Sequence, residues 1–369
     1  MQEERDVVVV GAGLAGSVVA RCLAEAGRQV AVLERRSGPG GLASDALDAG
    51  GRRVHCFGPH VFHSNDEQVV AFLSRFTAWQ PYVHRVLARV GERLLPFPIN
   101  RCTINQLYGL DLDADGVARF LAARRQAHAP PANAAEVALD AVGPELYDTF
   151  YRAYSRKQWG VEATQLPPEV IARIPVRHDD DDRYFTDRFQ GLPAIGYQGL
   201  CRCLLDHPGI TCRWQQSYQA AQHRRLGRHM VWTGALDELC DQVYGRLPYR
   251  RVRFAISHHE DPAARQPAAV INEAGADVAH TRTTDCSWFS PPDCTGTVLV
   301  QEFPGDDGEP CYPMPWAEGA TLARRYRALV AGRDDVSCVG RLAEYRYYNM
   351  DQVVAAALTT ASRLVQGMA

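Results

Sequence analysis

Residues 7–16 read Val7-Val8-Val9-Val10-Gly11-Ala12-Gly13-Leu14-Ala15-Gly16 and join an apolar run to a glycine-rich turn. The four valines predict a short, buried strand of a parallel sheet. Leu14 to Ala26 is alanine-rich and free of proline, which predicts a helix, and Gly27 stands where helices commonly end. Gln29 to Leu33 predicts a second buried strand, closed by Glu34. This order of strand, turn, helix, strand and acid predicts a dinucleotide-binding α/β unit.

The three glycines of this segment follow the spacing G-x-G-x-x-G. Gly11 permits a tight turn, Gly13 lets the backbone approach a pyrophosphate, and Gly16 allows the helix to pack closely on the strand. The helix N-terminus offers free N–H groups to phosphates, and Glu34 is placed to accept hydrogen bonds from both ribose hydroxyls. These residues leave FAD and NAD open, and a glycine-rich turn in another α/β unit is the alternative interpretation.

Composition sets the limits of the function. The 369 residues are 46% hydrophobic and 22% charged with a net charge of −3, which is ordinary for a globular protein of two or three domains. Without a basic excess, neither nucleic acid nor anionic lipid is expected as a partner. The short charged start and the lack of long apolar runs predict a cytoplasmic protein without a membrane span. The eleven cysteines are scattered, so we expect reduced thiols and no metal site.

Strand and helix patterns alternate along the rest of the chain. Strands of an antiparallel sheet are predicted at 83–90, 92–97, 229–234, 252–258, 268–272 and 297–303, and a late strand at 336–339. Residues 103–159 are helical in pattern, with breaks near 129–131 and 143–144, and further helices are predicted over 317–330 and 349–368. The glycine-rich loop 38–43 comes shortly after Glu34, the acid expected to bind a ribose. This loop favours FAD over NAD, because the backbone must surround a longer dinucleotide.

The expected fold class is therefore α/β, with a Rossmann-like FAD-binding domain, an inserted helical-bundle domain and an antiparallel β-sheet domain. The predicted FAD-binding domain is discontinuous and takes residues 1–80 with about 195–230 and 320–369. The helical domain takes 101–170. The substrate-binding sheet domain takes 81–100 with 171–194 and about 231–319.

Longer motifs then occur in a fixed order along the chain. They are Gly58-Pro59-His60-Val61-Phe62-His63-Ser64-Asn65, Tyr154-Ser155-Arg156-Lys157-Gln158-Trp159-Gly160, Leu166-Pro167, Pro175-Val176-Arg177, Arg183-Tyr184-Phe185-Thr186-Asp187-Arg188-Phe189-Gln190-Gly191, Thr233-Gly234, and Gly340-Arg341-Leu342 with Tyr345-Arg346-Tyr347. In these motifs the chain resembles the UDP-galactopyranose mutase family nearly from end to end.

The resemblance implies an isomerase (an intramolecular transferase) that carries FAD and is active when the FAD is reduced. It would interconvert the pyranose and furanose forms of a nucleotide-diphosphate hexose, by default UDP-galactopyranose and UDP-galactofuranose. Our hypothesis for the mechanism follows from the cofactor: N5 of reduced FAD attacks the anomeric carbon and displaces the nucleoside diphosphate, and the opened sugar recloses as a furanose.

The resemblance also implies roles for individual residues. The catalytic set is His60, His63, Arg173, Arg282 and Arg341. The substrate-binding set is Phe150, Tyr154, Trp159, Arg173, Tyr184, Asn272, Arg282, Tyr312 and Tyr347. The cofactor-binding set is Gly11, Gly13, Leu14, Gly16, Glu34, Arg35, Gly41, Leu42, His60, Arg341, Asn349 and Met350.

The local patterns leave alternatives open for these side chains. A histidine beside a flavin can change its hydrogen-bond role when the flavin gains a proton, but one in a Gly-Pro turn can also be a core residue that caps the turn. Phe150 and Tyr154 share a helix face, and such a stripe is often core. A single arginine such as Arg173 is often part of a surface ion pair, and a tyrosine such as Tyr312 is often bonded to backbone. The motif context favours the functional role in each case.

Three segments depart from the family pattern. Asn349 occurs where the family usually has Asp, and Gly41-Leu42-Ala43 occurs where the family usually has Gly-Gly-Asn. Residues 279–287 occur where the family prefers a Pro-Tyr-Thr-Arg-Ile segment. A GDP- or dTDP-linked galactose or deoxyhexose is therefore an alternative substrate. An FAD-dependent, amine-oxidase-like oxidoreductase and a non-catalytic nucleotide-sugar-binding protein are alternatives of other classes. The expected partners are an external reductant, such as NAD(P)H or a reductase, and a second copy of the chain in a homodimer.

Overall fold

The computed structural model describes residues 5–127, 129–219, 226–290, 294–314 and 316–368. The strands of this part of the chain are β1 (Arg5–Val10), β2 (Val30–Leu33), β3 (Asp45–Leu47), β4 (Arg53–His55), β5 (Phe62–Ser64), β6 (Trp79–Pro81), β7 (Val86–Val90), β8 (Arg93–Phe97), β9 (Phe189–Pro193), β10 (Ile210–Arg213), β11 (Gly227–Trp232), β12 (Tyr249–His259), β13 (Val270–Glu273), β14 (Arg282–Asp285), β15 (Thr297–Gly305), β16 (Glu309–Pro313) and β17 (Val336–Cys338).

The α-helices in the same ranges are α1 (Leu14–Glu25), α2 (Glu67–Ser74), α3 (Arg101–Tyr108), α4 (Ala114–Ala122), α5 (Ala134–Leu146), α6 (Ala153–Trp159), α7 (Glu169–Ala172), α8 (Gly196–Leu205), α9 (Leu236–Leu239), α10 (Ala317–Ala331) and α11 (Met350–Gly367). A π-helical turn over Tyr147–Arg152 joins α5 to α6. None of the helices in the described ranges is both long and apolar enough to cross a membrane.

The nucleotide-binding half is built on a five-stranded parallel sheet in the order β10-β2-β1-β11-β17. Val7 to Val10 are all buried, since apolar side chains cover both faces of a central parallel strand. α1 packs against α8 and α11 over one face of this sheet. The strand, glycine turn, helix and strand predicted for residues 7–33 are confirmed, and so is the α/β fold class.

A second, seven-stranded sheet has the order β16-β12-β15-β14-β13-β7-β8. Its pairs are antiparallel except β13 with β7, which run parallel. The prediction of a purely antiparallel sheet is therefore wrong at this one pair. The exception arises because β7 and β13 come from distant parts of the chain, so no tight hairpin turn constrains their direction.

The strand predicted at 229–234 also differs from its assignment. The observed strand is β11, and it pairs in parallel with β1 and β17 in the nucleotide-binding sheet. The prediction that places it in the antiparallel sheet is wrong, because a half-buried strand has the same sequence pattern in a parallel and an antiparallel sheet. The predicted three-domain division of the chain stays a prediction.

The predicted helical insertion is present as α3 to α7, and it is broken at both expected places. α4 ends at Ala122 and α5 begins at Ala134. Within α5, Gly143 has a φ of 80° and a Cβ there would lie 2.4 Å from the Arg124 carbonyl oxygen. This position therefore requires glycine. The kink and the π-helical turn precede α6, which borders the second, smaller cavity described below.

Candidate active site

A long cavity of about 460 Å³ follows the predicted dinucleotide segment. It runs from Glu34 at the end of β2, past the glycine turn, to His60 and Met350. Ten of the twelve predicted cofactor residues line it: Gly11, Gly13, Leu14, Glu34, Arg35, Gly41, Leu42, His60, Arg341 and Met350.

The other two predicted cofactor residues lie beside the cavity. A Cβ on Gly16 would stand 2.0 Å from the Gly11 carbonyl oxygen, so this glycine allows α1 to pack on β1. The Asn349 N–H donates to Oε1 of Gln352 at 3.0 Å, at the start of α11. Direct contact of Asn349 with a cofactor stays a prediction.

The cavity wall fits a dinucleotide. Gly11 has a φ of 103°, and a Cβ there would meet Oγ1 of Thr233 at 2.1 Å. Oε2 of Glu34 accepts from Ala12 N–H at 2.8 Å, and Oε1 accepts from Arg36 N–H at 2.8 Å. These bonds hold the carboxylate at the end of β2, where a ribose is expected. The residues present therefore fit FAD, with phosphates at the start of α1 and the ribose at Glu34.

A second cavity of about 60 Å³ lies between α6, α7 and the seven-stranded sheet. All nine predicted substrate-binding residues line it: Phe150, Tyr154, Trp159, Arg173, Tyr184, Asn272, Arg282, Tyr312 and Tyr347. They come from the π-helical turn, α6, the segment between α7 and β9, the strands β13, β14 and β16, and the segment between β17 and α11. The fold thus collects on one cavity residues that are up to 197 positions apart in sequence, from Phe150 to Tyr347.

The cavity has a cationic wall made of arginines and phenols. The central guanidinium carbon of Arg173 lies 4.7 Å from the centre of the Tyr347 ring. The Tyr347 ring stacks on Tyr312 at 5.8 Å. Burial alone would raise the pKa of Tyr347, but the charges of Arg173, Arg341 and Arg282 outweigh it and lower that pKa. The positive potential at this wall suits a polyanion.

Arg341 connects the two cavities. It lines the dinucleotide cavity, and its guanidinium carbon lies 5.3 Å from the Tyr312 ring and 5.5 Å from the Tyr347 ring. Its Nη2 donates to the carbonyl of Tyr348 at 2.7 Å, and its Nη1 donates to that of Cys311 at 3.3 Å. These backbone contacts fix a positive charge at the junction.

Arg282 has an acidic partner that the sequence analysis missed. Its Nε lies 3.5 Å from Oε2 of Glu302, a residue that is only 2% exposed. Burial raises the pKa of Glu302, and Arg282 opposes that rise. The available signal was a glutamate inside the apolar strand pattern of 297–303, because a buried charge needs a partner.

His60 is held in one tautomer. Its Nδ1 lies 2.8 Å from the carbonyl oxygen of Gly58, so this nitrogen carries the proton and donates it. Burial, with the charges of Arg341 and Arg282, lowers the pKa of His60 to about 4. The ring is therefore neutral at pH 7 and keeps a lone pair on Nε2.

His63 lies outside the lining of both cavities. Its Nδ1 is 2.6 Å from Oδ2 of Asp187, and its ring stacks on Phe185 with 3.6 Å between centroids. The predicted response of His63 to the flavin gains no support from these contacts. Among the described residues, no group of three or more His, Cys, Asp or Glu side chains is arranged to hold a metal ion.

This architecture defines a dinucleotide-binding α/β protein with a second cavity lined by arginines and tyrosines. The model of a family described as UDP-galactopyranose mutase matches residues 149–347, and an NAD(P)-binding Rossmann-like domain matches 9–76. A Klebsiella pneumoniae protein named probable UDP-galactopyranose mutase is 34% identical over 371 residues, covering 99% of this chain and 96% of the relative. The chain belongs to the UDP-galactopyranose mutase family, which makes it an FAD-dependent isomerase.

Two further comparisons describe the range of the family. An Escherichia coli dTDP-fucopyranose mutase is also 34% identical, and the match covers 98% of each chain. The crystal structure of a reduced UDP-galactopyranose mutase superposes with a TM-score of 0.76 at 18% identity, covering 100% of this chain and 95% of that one. At this identity the superposition shows a shared fold. The names of these relatives thus differ in both the nucleotide and the sugar.

Proposed function

We propose that the protein interconverts the pyranose and furanose forms of a hexose carried on a nucleoside diphosphate, with UDP-galactose as the default substrate. The position of Arg341 carries this proposal. It borders the dinucleotide cavity and also lies over the Tyr312 and Tyr347 rings of the second cavity. A ligand diphosphate bound at this arginine would place its sugar at the junction with the cofactor.

The cationic wall is the proposed diphosphate site. Arg173 and Arg282 supply charge, and the phenols of Tyr184, Tyr312 and Tyr347 add neutral donors. Arginine is suited to this role because its planar fork matches phosphate oxygens. These groups stabilise the charge that accumulates when the diphosphate leaves the anomeric carbon.

Reduced FAD, when bound, supplies the nucleophile for the anomeric carbon. The chain supplies position and proton control. His60 presents a neutral Nε2 at the cofactor cavity, where it accepts a hydrogen bond without adding charge. Trp159 and Tyr312, which pack edge to face at 6.1 Å, restrict the space beside the sugar.

The substrate cavity must widen before a nucleotide sugar enters. Its 60 Å³ is below the ~300 Å³ at which ligand pockets begin. The movable wall in this proposal is the segment 169–174. Arg173 on this segment is exposed and is held by its Nε–H to the carbonyl of Val170 at 3.3 Å and by the Tyr347 ring. Closure of this segment would bring Arg173 to the phosphates and exclude water.

The base end of the cavity offers polar groups for recognition. Oε1 of Gln158 is buried without a hydrogen-bond partner among the described residues, and the buried Asn272 also lines this cavity. A buried acceptor fits a base with a ring N–H, which uracil, thymine and guanine all carry. A dTDP-linked deoxyhexose is the second candidate substrate because the Escherichia coli relative named dTDP-fucopyranose mutase supports it.

The test is turnover by the dithionite-reduced enzyme with UDP-galactose, dTDP-fucose and GDP-galactose, read as furanose product by chromatography. We expect product from UDP-galactose or dTDP-fucose, and little from the oxidised enzyme. Equal turnover by oxidised enzyme would contradict the mechanism. Consumption of oxygen or NAD(P)+ during turnover would instead favour the amine-oxidase-like alternative.

We also propose an external electron donor, a homodimer and a cytoplasmic location, all of which accompany the family resemblance. NAD(P)H alone, or NAD(P)H with a reductase, should bleach the flavin absorbance under anaerobic conditions. Light scattering of the full chain should give twice the 40.9 kDa of one copy. A monomer at micromolar concentration would contradict the dimer.

A further inference from the structure

Two positively charged side chains lie close to the substrate cavity but are not part of its lining. Lys157 lies on α6 and Arg250 lies on β12, and neither touches the space of the cavity. Both side chains are directed at backbone carbonyl groups of neighbouring elements. We define this pair as the cationic brace.

Lys157 joins α6 to the hairpin between β13 and β14. Its Nζ donates to the carbonyls of Glu273, Val278 and His280 at 2.8, 3.2 and 3.0 Å. An ammonium has three N–H donors, so all of them are used. The hairpin held in this way begins directly after Asn272 and ends directly before Thr281 and Arg282.

Arg250 joins the end of α6 to the sheet. Its Nε donates to the carbonyl of Gln158 at 2.8 Å, and its Nη2 donates to the carbonyls of Lys157 at 3.0 Å and Pro304 at 3.2 Å. The first two are terminal carbonyls of a helix, which a cation stabilises. Arg250 is 8% exposed.

The strand register connects Arg250 to the opposite wall. Arg250 is paired with Tyr312 across β12 and β16, where the register shifts by a bulge. Gly160 ends α6 with a φ of 76°, and a Cβ there would lie 3.0 Å from Nη1 of Arg250. Trp159 lies in sequence between Gln158 and Gly160, both of which contact Arg250, and is 5% exposed.

We propose that Lys157 and Arg250 are positioning residues that hold α6, the β13–β14 hairpin and β12 at a fixed spacing. This spacing places Trp159, Asn272 and Arg282 around the nucleotide sugar. The inference rests on the proposed function for its ligand. Lys157 contacts backbone carbonyls, and Arg250 contacts backbone carbonyls and the exposed Asp306 carboxylate at 3.4 Å. Neither residue lines the cavity, so both act through the side chains that do.

The test uses Lys157→Met and Arg250→Met in the full-length holoenzyme, with Lys157→Arg and Arg250→Lys as conservative variants. Arg156→Met is the matched control on α6. The Arg156 side chain is 72% exposed, and its ion pair is an exposed one with Glu162 at 3.5 Å. Arg253→Met is the control on β12, where the guanidinium lies over Phe303. The readouts are KM and kcat, Kd for UDP and dTDP from tryptophan fluorescence, FAD content, and amide hydrogen exchange.

We expect KM and the nucleotide Kd to rise about tenfold or more in both Met variants, which corresponds to about 1.4 kcal/mol. We expect kcat to change less, FAD content to stay at the wild-type level, and the conservative variants to recover part of the affinity. Amide exchange in 273–282 should quicken in Lys157→Met and stay unchanged in Arg156→Met, because only Lys157 holds that hairpin.

Unchanged nucleotide Kd and unchanged exchange in 273–282 in Lys157→Met would overturn the proposal. Equal losses of FAD and of nucleotide binding would also overturn it, since they indicate a general structural role. If Arg250→Met does not fold, Lys157→Met and Arg250→Lys decide the question. Failure of the proposed function would appear separately, as absence of furanose product from the wild-type enzyme, whereas the exchange readout needs no substrate.

Discussion

The guanidinium of Arg173 lies over the ring of Tyr347, with 4.7 Å between its central carbon and the ring centre. Arg341 approaches the same ring from the cofactor cavity at 5.5 Å. The two guanidinium charges near this ring repel each other, and an anion bound between them would offset the repulsion. This arrangement therefore fits a site that is completed by the diphosphate of a substrate.

Replacing Arg173 by Met should lower kcat/KM by about 100-fold or more, because the leaving diphosphate loses a charge partner. FAD content should stay at the wild-type level, since Arg173 lines only the substrate cavity. Steady-state kinetics and the flavin spectrum measure both effects. Arg188→Met is the control, because that side chain is 76% exposed. Full activity of the Arg173 variant would contradict the diphosphate assignment.

The same variant should raise the pKa of Tyr347. In the folded protein the charges of Arg173, Arg341 and Arg282 outweigh burial and lower this pKa, and removal of one charge weakens that effect. A spectrophotometric titration of phenolate absorbance, with Tyr347→Phe subtracted, follows this group alone. A Tyr347 titration that does not move in Arg173→Met would show that the guanidinium lies elsewhere in solution.

Gly13→Val should abolish FAD binding and leave the protein folded. A Cβ on Gly13 would lie 3.5 Å from the Cα of Gly41, an ordinary contact, so the obstruction falls mainly on the cofactor. The purified variant should lack flavin absorbance and keep its circular dichroism. Gly367→Ala is the control, since a Cβ there meets nothing within 4 Å. A yellow Gly13→Val enzyme would be incompatible with a pyrophosphate at this turn.

Glu302→Gln should lower the free energy of unfolding by about 1–3 kcal/mol. This cost is below the usual range for a broken buried ion pair, because the Arg282 side chain is 24% exposed and keeps some contact with water. Urea denaturation of the holoenzyme measures the change. Glu162→Gln is the matched control, because its carboxylate lies 3.5 Å from the 72% exposed Arg156 and its loss should cost less than about 1 kcal/mol. Equal costs for both variants would mean that Glu302 is not a buried partner of Arg282.

Acidification should destabilise the protein partly through His84. Burial, with the charges of Arg282 and His63, lowers the pKa of His84 to about 3. The unfolded chain takes up this proton near pH 6.5 and the folded chain near pH 3, so stability falls as the pH drops between these values. His84→Gln should reduce this slope by up to about 1.4 kcal/mol per pH unit. Urea denaturation from pH 7 to pH 4 measures it, with the exposed His258→Gln as control, and an unchanged slope would contradict the prediction.

The nucleotide-binding half was the more predictable part of the protein. The valine run, the glycine spacing and Glu34 are local in sequence, and each acts within a unit of about 30 residues. The prediction for 229–234 names the wrong sheet because a short, half-buried strand pattern does not indicate which strand it pairs with. Pairing partners are chosen by the rest of the fold.

The substrate side shows the same division. The family resemblance named nine residues that all line the second cavity, but their presence on one cavity required the kink at Gly143 and the order of seven strands. The sequence predicts no role for Lys157 or Arg250 because their main partners are carbonyl oxygens, which every residue has and no side-chain pattern reveals. His63 shows the reverse case, in which a motif residue is paired with Asp187 away from both cavities.

The sequence by itself determined the dinucleotide unit, the helical insertion and the family, because these depend on local periodicity and on ordered motifs. The tertiary structure alone decided which strands share a sheet, that Arg341 joins the two cavities, and that Glu302 lies under Arg282. Those relationships are contacts between residues far apart in the chain. They arise from packing of the whole core, so no local stretch of sequence contains them.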